Sequence, residues 1–287
     1  YHLEDLRVGM SYPNYYISRL ASKFVKVCLQ GTGGDELFGG YPWRYYKVFD
    51  SLSQEDFFDQ YYDFWQRLVP QEEKVDLFSN EVLDQIDLNA PREVFKRVFT
   101  FNDTLKYDTP QDHINNSLYF EIKTFLPGLF LVGDKLAMAH GLEERFPFMD
   151  NDLVDFAMQV PVEHKLGDLT KEIDKIDENI EAKKKAYREH DDGKNVLRKA
   201  MEDYIPEQII NRKKQGFSAP DESWYRGENA AYIKEILLHS DTLCTEFINA
   251  EYINKIVNEH LNLGKNHRLL IWSFLNFEWW CRIFLNK

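Results

Sequence analysis

Gln30–Tyr41 reads QGTGGDELFGGY, and five of the chain's 14 glycines fall inside the ten positions 31–40. Directly before it, Phe24–Gln30 (FVKVCLQ) is short, apolar and rich in β-branched residues, the pattern of a buried strand feeding a loop. Glycines after such a strand let the backbone turn with positive φ and bring amide N–H groups against a ligand. The carboxyl end of a parallel strand is also where α/β proteins hold nucleotides. Asp35 and Glu36 sit in the middle of the loop. Two adjacent carboxylates repel phosphate, but they become useful when Mg²⁺ lies between them and it. A tight turn carrying two solvated acids is the other reading of the same residues.

On either side of this loop the signals are helical. Pro13–Lys23 reads as a helix leading into the strand. After the loop come helical patterns at Gln54–Leu68, Pro91–Phe99, His113–Phe125, Leu129–Ala139, Asn151–Gln159, Val196–Tyr204, Asn229–Leu238, Ala250–Asn262 and His267–Phe284. Phe57, Phe58, Tyr61, Tyr62, Phe64 and Trp65 space as core-facing positions. Lys171–His190 is different, with six basic and six acidic side chains around Ile173, Ile176 and Ile180, and reads as a solvated charged insertion. No second strand is convincing. A lone strand cannot satisfy its own ladder, so either other strands escape the pattern or the rest of a sheet lies in sequence outside these residues.

Composition narrows the function classes. The 287 residues carry 35 Lys plus Arg against 48 Asp plus Glu, a formal charge of −13, which argues against a general nucleic-acid binder. A hydrophobic share of 44% with 21 Phe, 16 Tyr and 6 Trp supports a sizeable core. Cys28, Cys244 and Cys281 fit neither a disulfide framework nor a zinc site, and read as reduced thiols of a cytoplasmic protein. The most apolar runs, Phe125–Gly133 and Leu269–Phe277, are far shorter than the roughly 20 residues of a membrane span. The opening YHLEDLRVGM carries acids where a signal peptide would be basic, and it begins at Tyr1, as in a trimmed chain.

Three ordered blocks carry a resemblance. GTGGDELFGGY resembles a signature of the synthetase domain of glutamine-hydrolysing asparagine synthetases, a branch of the pyrophosphatase-loop ATP enzymes. Leu126–Asp150, LPGLFLVGDKLAMAHGLEERFPFMD, is similar to that family's LxxxLxxxDRxxMAxxxExRxPFLD block. Lys194–Phe217, KNVLRKAMEDYIPEQIINRKKQGF, is similar to its K-x-x-L-R…P…R-x-K-x-x-F segment. The resemblance implies an α/β fold built on an adenine-nucleotide-binding parallel sheet, with this chain mostly α-helical and holding an edge of that sheet. It also implies adenylation of aspartate or a related carboxylate by ATP, release of pyrophosphate, and attack by ammonia or glutamine-derived ammonia. ATP and Mg²⁺ are then the implied cofactors, and a homodimer is among the assemblies it allows.

By the match, Asp35 is the metal ligand, with Glu36 beside it. Gln30, Gly31, Gly33 and Gly34 line the nucleotide. Lys194 and Lys214 meet the pyrophosphate, with Arg198 and Arg212 behind them. Glu143 and Arg145 of the E-x-R face the substrate, and His140 is structural. Two departures stand out. Thr32 occupies a position where the family commonly has Glu, which keeps β-lactam-forming or peptide-cyclising relatives open as alternatives. The S-G-G-x-D-S loop and the leading glutaminase cysteine are absent from these 287 residues. The expectation is therefore residues 1–287 as the C-terminal portion of a longer ligase, inactive alone. A non-catalytic module that kept the fold is the remaining alternative.

Overall fold

Val27–Leu29 forms a strand, β1, and it is not alone: Glu143–Arg145 forms β2 and pairs with it in parallel, Val27 opposite Glu143, Cys28 opposite Glu144 and Leu29 opposite Arg145. The ladder continues at both ends, from Glu143 N–H to Lys26 O at 2.9 Å and from Gln30 N–H to Arg145 O at 2.8 Å. A strand that escapes the sequence pattern is thus present, the first of the two alternatives the lone strand left open. The second strand, E-E-R, carries no apolar residue and so no readable alternation, and only its partner makes it a strand. The burial expected of Phe24–Gln30 also fails. Phe24 is 78% exposed and Leu29 74% exposed, because among the described residues β1 has one neighbour and nothing covers its outer face.

This computed structural model describes residues 1–6, 11–66, 68–167, 193–212 and 225–285. The charged run at 171–190 lies outside them, as does Lys214. The helices are α1 Ser11–Ala21, α2 Gly34–Phe38, α3 Pro42–Tyr45, α4 Gln54–Trp65, α5 Lys74–Leu77, α6 Asn80–Leu83, α7 Ala90–Phe99, α8 Pro110–Phe120, α9 Leu126–Met138, α10 Asn151–Gln159, α11 Val162–Lys165, α12 Asn195–Ala200, α13 Glu207–Ile210, α14 Ala230–Leu237, α15 Ala250–Asn262 and α16 Arg268–Trp280. A mostly helical chain on a small parallel sheet is the α/β architecture expected. Among the described residues no helix is long and apolar enough to cross a membrane.

Local chemistry explains several boundaries. Thr109 and Asp112 form a reciprocal capping box at the start of α8, with Pro110 in its first turn. Ser53 caps α4 and Asp150 caps α10 by accepting backbone N–H bonds. The separate helices expected at 113–125 and 129–139 are one continuous run, in which Glu121–Phe125 forms a π-helical turn between α8 and α9. The interior divides into several clusters. Rings from α4, α7 and α8 (Phe57, Tyr61, Phe95, Phe99, Phe120) pack together, as the sequence spacing predicts. A second cluster joins α14–α16, and a small one places Leu37 and Phe38 of α2 against Ala157, Ile122 and Leu197. That last cluster fixes the loop on which the candidate site depends.

Candidate functional site

The glycine loop closes into the short helix α2. Its N-cap, Gly33, sits in the left-handed region at φ 101° and ψ −28°, and a Cβ there would meet Met149 Sδ at 2.7 Å. Only glycine makes that turn at that spacing. At the far end, Gly40 passes so close to Asp35 that a Cβ would stand 2.7 Å from the Asp35 Cα, inside the space of the carboxylate itself. The two glycines fold the loop back on Asp35 and aim its side chain.

Lys194 meets Asp35 there. Its Nζ lies 2.7 Å from Asp35 Oδ1, with the two side chains 28% and 26% exposed. Lys194 is the N-cap of α12 and adopts φ 64°, ψ 30°, a left-handed conformation that non-glycine residues seldom adopt. Such strain persists only where its surroundings enforce it. Here the Lys194 N–H donates to Phe38 O at 3.0 Å, and the preceding Gly193 lies against the backbone of Gly39 and Gly40. One residue therefore binds the end of α2 through its backbone and the start of α2 through its ammonium.

Glu36 goes elsewhere. Consecutive residues on a helix point about 100° apart, so Asp35 and Glu36 do not converge on one point. Glu36 is 1% exposed and accepts a 2.9 Å hydrogen bond from the Tyr41 hydroxyl. Burial pushes its carboxyl above the usual range, opposed by its own backbone N–H and by Tyr41. Behind Tyr41 stands a buried charge pair. The Arg44 guanidinium lies 3.8 Å from the Tyr41 ring centroid, 4.6 Å from that of Phe125 and 5.2 Å from that of Trp65. Arg44 Nη1 is 3.1 Å from Glu121 Oε1, and Tyr45 donates to Glu121 Oε2 at 3.2 Å. Glu121, in the π turn, has no exposed surface. Burial pushes its carboxyl up while Arg44 and Tyr45 oppose that, and the phenol of Tyr45 is driven well up by burial and by Glu121.

At the carboxyl end of β1 and β2 a polar chain runs across the strands. Thr32 Oγ1 donates to Gln30 Oε1 at 3.2 Å, and Gln30 Nε2 donates to Glu144 Oε1. Burial, ahead of any charge, raises the Glu144 carboxyl. Glu144 is the residue that sequence reasoning passed over, because its strand was unread. Glu143 and Arg145 flank it on the other face, are both exposed, and pair with each other at 2.9 Å. Gly31 has open space above its Cα. Arg198 turns toward backbone, donating from Nε to Gly193 O at 3.1 Å and from Nη1 to Ile210 O. Arg212 is exposed at the end of a described segment. His140 packs against the Tyr15 ring, 4.4 Å between centroids. The structure thus brings Gln30, Gly31, Thr32, Gly33, Gly34, Asp35, Lys194 and Arg145 to the sheet end and the loop beside it, while Glu143 opens β2 at the far end of the pair, opposite Val27. It does not bring Glu36 there.

Among the described residues no group of three or more His, Cys, Asp or Glu side chains converges to hold a metal. These residues therefore offer no full protein cage, but Mg²⁺ usually keeps its waters and takes only one or two carboxylates plus substrate phosphates. Asp35, a single carboxylate on a glycine-defined turn, is of the kind that mode uses.

A family model described as asparagine synthase matches residues 1–282. Asparagine synthetase [glutamine-hydrolyzing] 1 of Bacillus subtilis is 27% identical over 324 residues, covering 100% of this chain and 45% of that protein. Asparagine synthetase [glutamine-hydrolyzing] 3 of the same organism is 25% identical over 245 residues, 85% of this chain and 34% of that protein. The amidase chry2 of Gibberella zeae is 26% identical over 138 residues, 47% of this chain and 18% of that protein. The chain spans less than half the length of these relatives.

Proposed function

Because the chain belongs to the asparagine synthase family, we propose that it carries the metal- and pyrophosphate-handling side of an ATP-dependent, amide-forming ligase. The observation that carries this reading is the 2.7 Å contact between Asp35 and Lys194 on the glycine loop. The substrates proposed are ATP, aspartate or a related carboxylate, and ammonia. Thr32, a hydroxyl in place of a carboxylate, is the reason to keep the related carboxylates. Asp35 would hold Mg²⁺, and the ion would supply Lewis-acid neutralisation of the charge that develops as pyrophosphate leaves. Lys194 offers an ammonium at the same point, so a phosphate oxygen brought to Asp35 meets a cation fixed before the reaction starts. Gln30, Gly31, Gly33 and Gly34 present backbone to the nucleotide. Lys214, Arg198 and Arg212 add positive charge on the pyrophosphate side, and Glu143 and Arg145 address the acceptor. Glu36 and Arg44 act from beneath, holding α2 and so the aim of Asp35.

The test is aspartate-dependent exchange between ATP and pyrophosphate, measured on the natural full-length protein that contains these residues. Exchange that requires Mg²⁺ and vanishes in Lys194→Ala supports the reading. Exchange unaffected by Lys194→Ala refutes the pyrophosphate role. The 287-residue chain by itself, which contains no S-G-G-x-D-S, is expected to show none.

A further inference from the structure

Glu144 is held from two sides and satisfied from only one. Its Oε1 accepts from Gln30 Nε2 across the two strands. Its Oε2 is buried and finds no hydrogen-bond donor among the described residues. That oxygen lies against α9, where a Cβ at Gly133 would stand 2.6 Å from it, so glycine is what leaves room for the carboxylate. Asp134, next along α9, adds its charge to the burial that raises the Glu144 carboxyl, and the Gln30 bond opposes both. Folding gains little from such a group. A buried acceptor without a donor costs stability, and an apolar side chain against α9 would avoid that cost. The use of Glu144 lies in what it does to Gln30.

An ionised carboxylate only accepts hydrogen bonds. Gln30 therefore turns its NH2 to Glu144 and its carbonyl to the loop, where that carbonyl accepts the Thr32 hydroxyl at 3.2 Å. The hydroxyl has then committed its one proton and keeps lone pairs to offer. Beside it, Gly31 has open space above its Cα. We propose that Glu144 is a positioning residue for the amine step: by fixing the direction of the Glu144–Gln30–Thr32 chain, it makes Thr32 Oγ1 an acceptor for an N–H of incoming ammonia. The inference rests on the ligase reading above. Of the substrates in that reading, the triphosphate and the carboxylate being activated bring acceptor oxygens, which a hydroxyl with no free proton does not bind. Ammonia brings donors, and giving one N–H to Thr32 leaves the nitrogen lone pair free to attack. A neutral amide at position 144 could donate as well as accept, so Gln30 could turn over and Thr32 would then present its proton instead.

Two assays on the natural full-length protein test this: ammonia-dependent amide formation, and aspartate-dependent exchange between ATP and pyrophosphate, which needs no amine. Glu144→Leu should raise the KM for ammonia by roughly fivefold to tenfold, the scale of one hydrogen bond, with exchange and melting temperature not reduced. Glu144→Gln keeps the shape but loses the fixed direction, and should raise it likewise. Thr32→Val should match Glu144→Leu, and the double variant should be no worse than either alone, because both cut one chain. Thr32→Ser, which restores the hydroxyl, should recover most of what Thr32→Val loses. An ammonia KM unchanged in Glu144→Leu and Glu144→Gln, additive effects in the double variant, or exchange falling in step with amide formation would each overturn the inference. A wild-type protein without exchange would refute the ligase reading, and this inference with it.

Discussion

Replacing Arg44 by Met strips Glu121 of its one cationic partner among the described residues while keeping a chain of similar length among the Tyr41, Trp65 and Phe125 rings. Glu121 has no exposed surface, so the variant's cheapest response is to take up a proton. At pH 7 that costs about 1.4 kcal/mol for each unit above the ordinary carboxyl value of 4.5, or about 3.4 kcal/mol. Loss of the cation over three rings adds about 1 kcal/mol. The expected destabilisation is therefore about 4 kcal/mol at pH 7, within the range for breaking a buried pair. It should fall to about 2 kcal/mol at pH 5, where protonation costs only about half a unit. The sign follows from linkage. In the variant Glu121 titrates far above its unfolded value, so its contribution is present at low pH and is lost as pH rises through the folded value. Urea unfolding at pH 5 and pH 7, followed by tryptophan fluorescence, reads both numbers. The double variant Arg44→Met/Glu121→Leu removes both charges and should recover most of the loss. A cost that is the same at both pH values, or a double variant no better than the sum of its parts, would refute the electrostatic account.

Three further outcomes are expected. In the natural full-length protein, Asp35→Asn should cut Mg²⁺-dependent turnover by several orders of magnitude yet leave the melting temperature nearly unchanged, since the partly exposed pair with Lys194 is worth about 1 kcal/mol and the amide keeps a hydrogen-bonding oxygen; a fully active Asp35→Asn enzyme would remove the anchor of the proposed function. Lys165→Met should stabilise the chain by about 3 kcal/mol at pH 7, because the unfolded chain keeps a proton that the folded chain releases near 8 instead of 10.5, and the gain should disappear above pH 10. Equal stabilities at pH 7 would show that the ammonium is solvated. Of the three cysteines, Cys28 alone should react with a thiol reagent in the native chain, with Cys244 and Cys281 following only in denaturant, since both are fully buried and burial pushes their thiols up, that of Cys281 to about 11. Uniform labelling of the native chain would contradict this packing.

The glycine loop was legible because its chemistry is local: turn-forming residues directly after an apolar run, with the acids between them. The capped helices and the ring cluster of α4 were legible for the same reason. What escaped the sequence depends on partners far along the chain. Glu143–Arg145 becomes a strand only opposite Val27–Leu29, more than a hundred residues earlier. Glu36 reads as Asp35's twin, and the divergence of adjacent helical residues, together with Tyr41 five positions on, separates them. Lys165 lies past the last residue of the helical pattern at Asn151–Gln159 and is marked by no motif. Its burial follows from packing beside the C-cap of α2, where Leu166 closes on Gly39, and nothing in its neighbours in sequence announces that.

The π turn at Glu121–Phe125 sets a rotational phase. Each residue of an α-helix advances the chain by about 100°, and a π turn lodges one residue beyond the regular count. Upstream of it, α8 faces α3 and α7; downstream, α9 faces α1 and β2. Deleting one residue between 121 and 125 would straighten the helix at little cost in backbone bonding, yet swing α9 by roughly that same angle. Leu142–Arg145 would turn with it. Length changes in this stretch should therefore act on the Glu143–Glu144–Arg145 strand as a rotation, mistiming the sheet end without altering any residue in it.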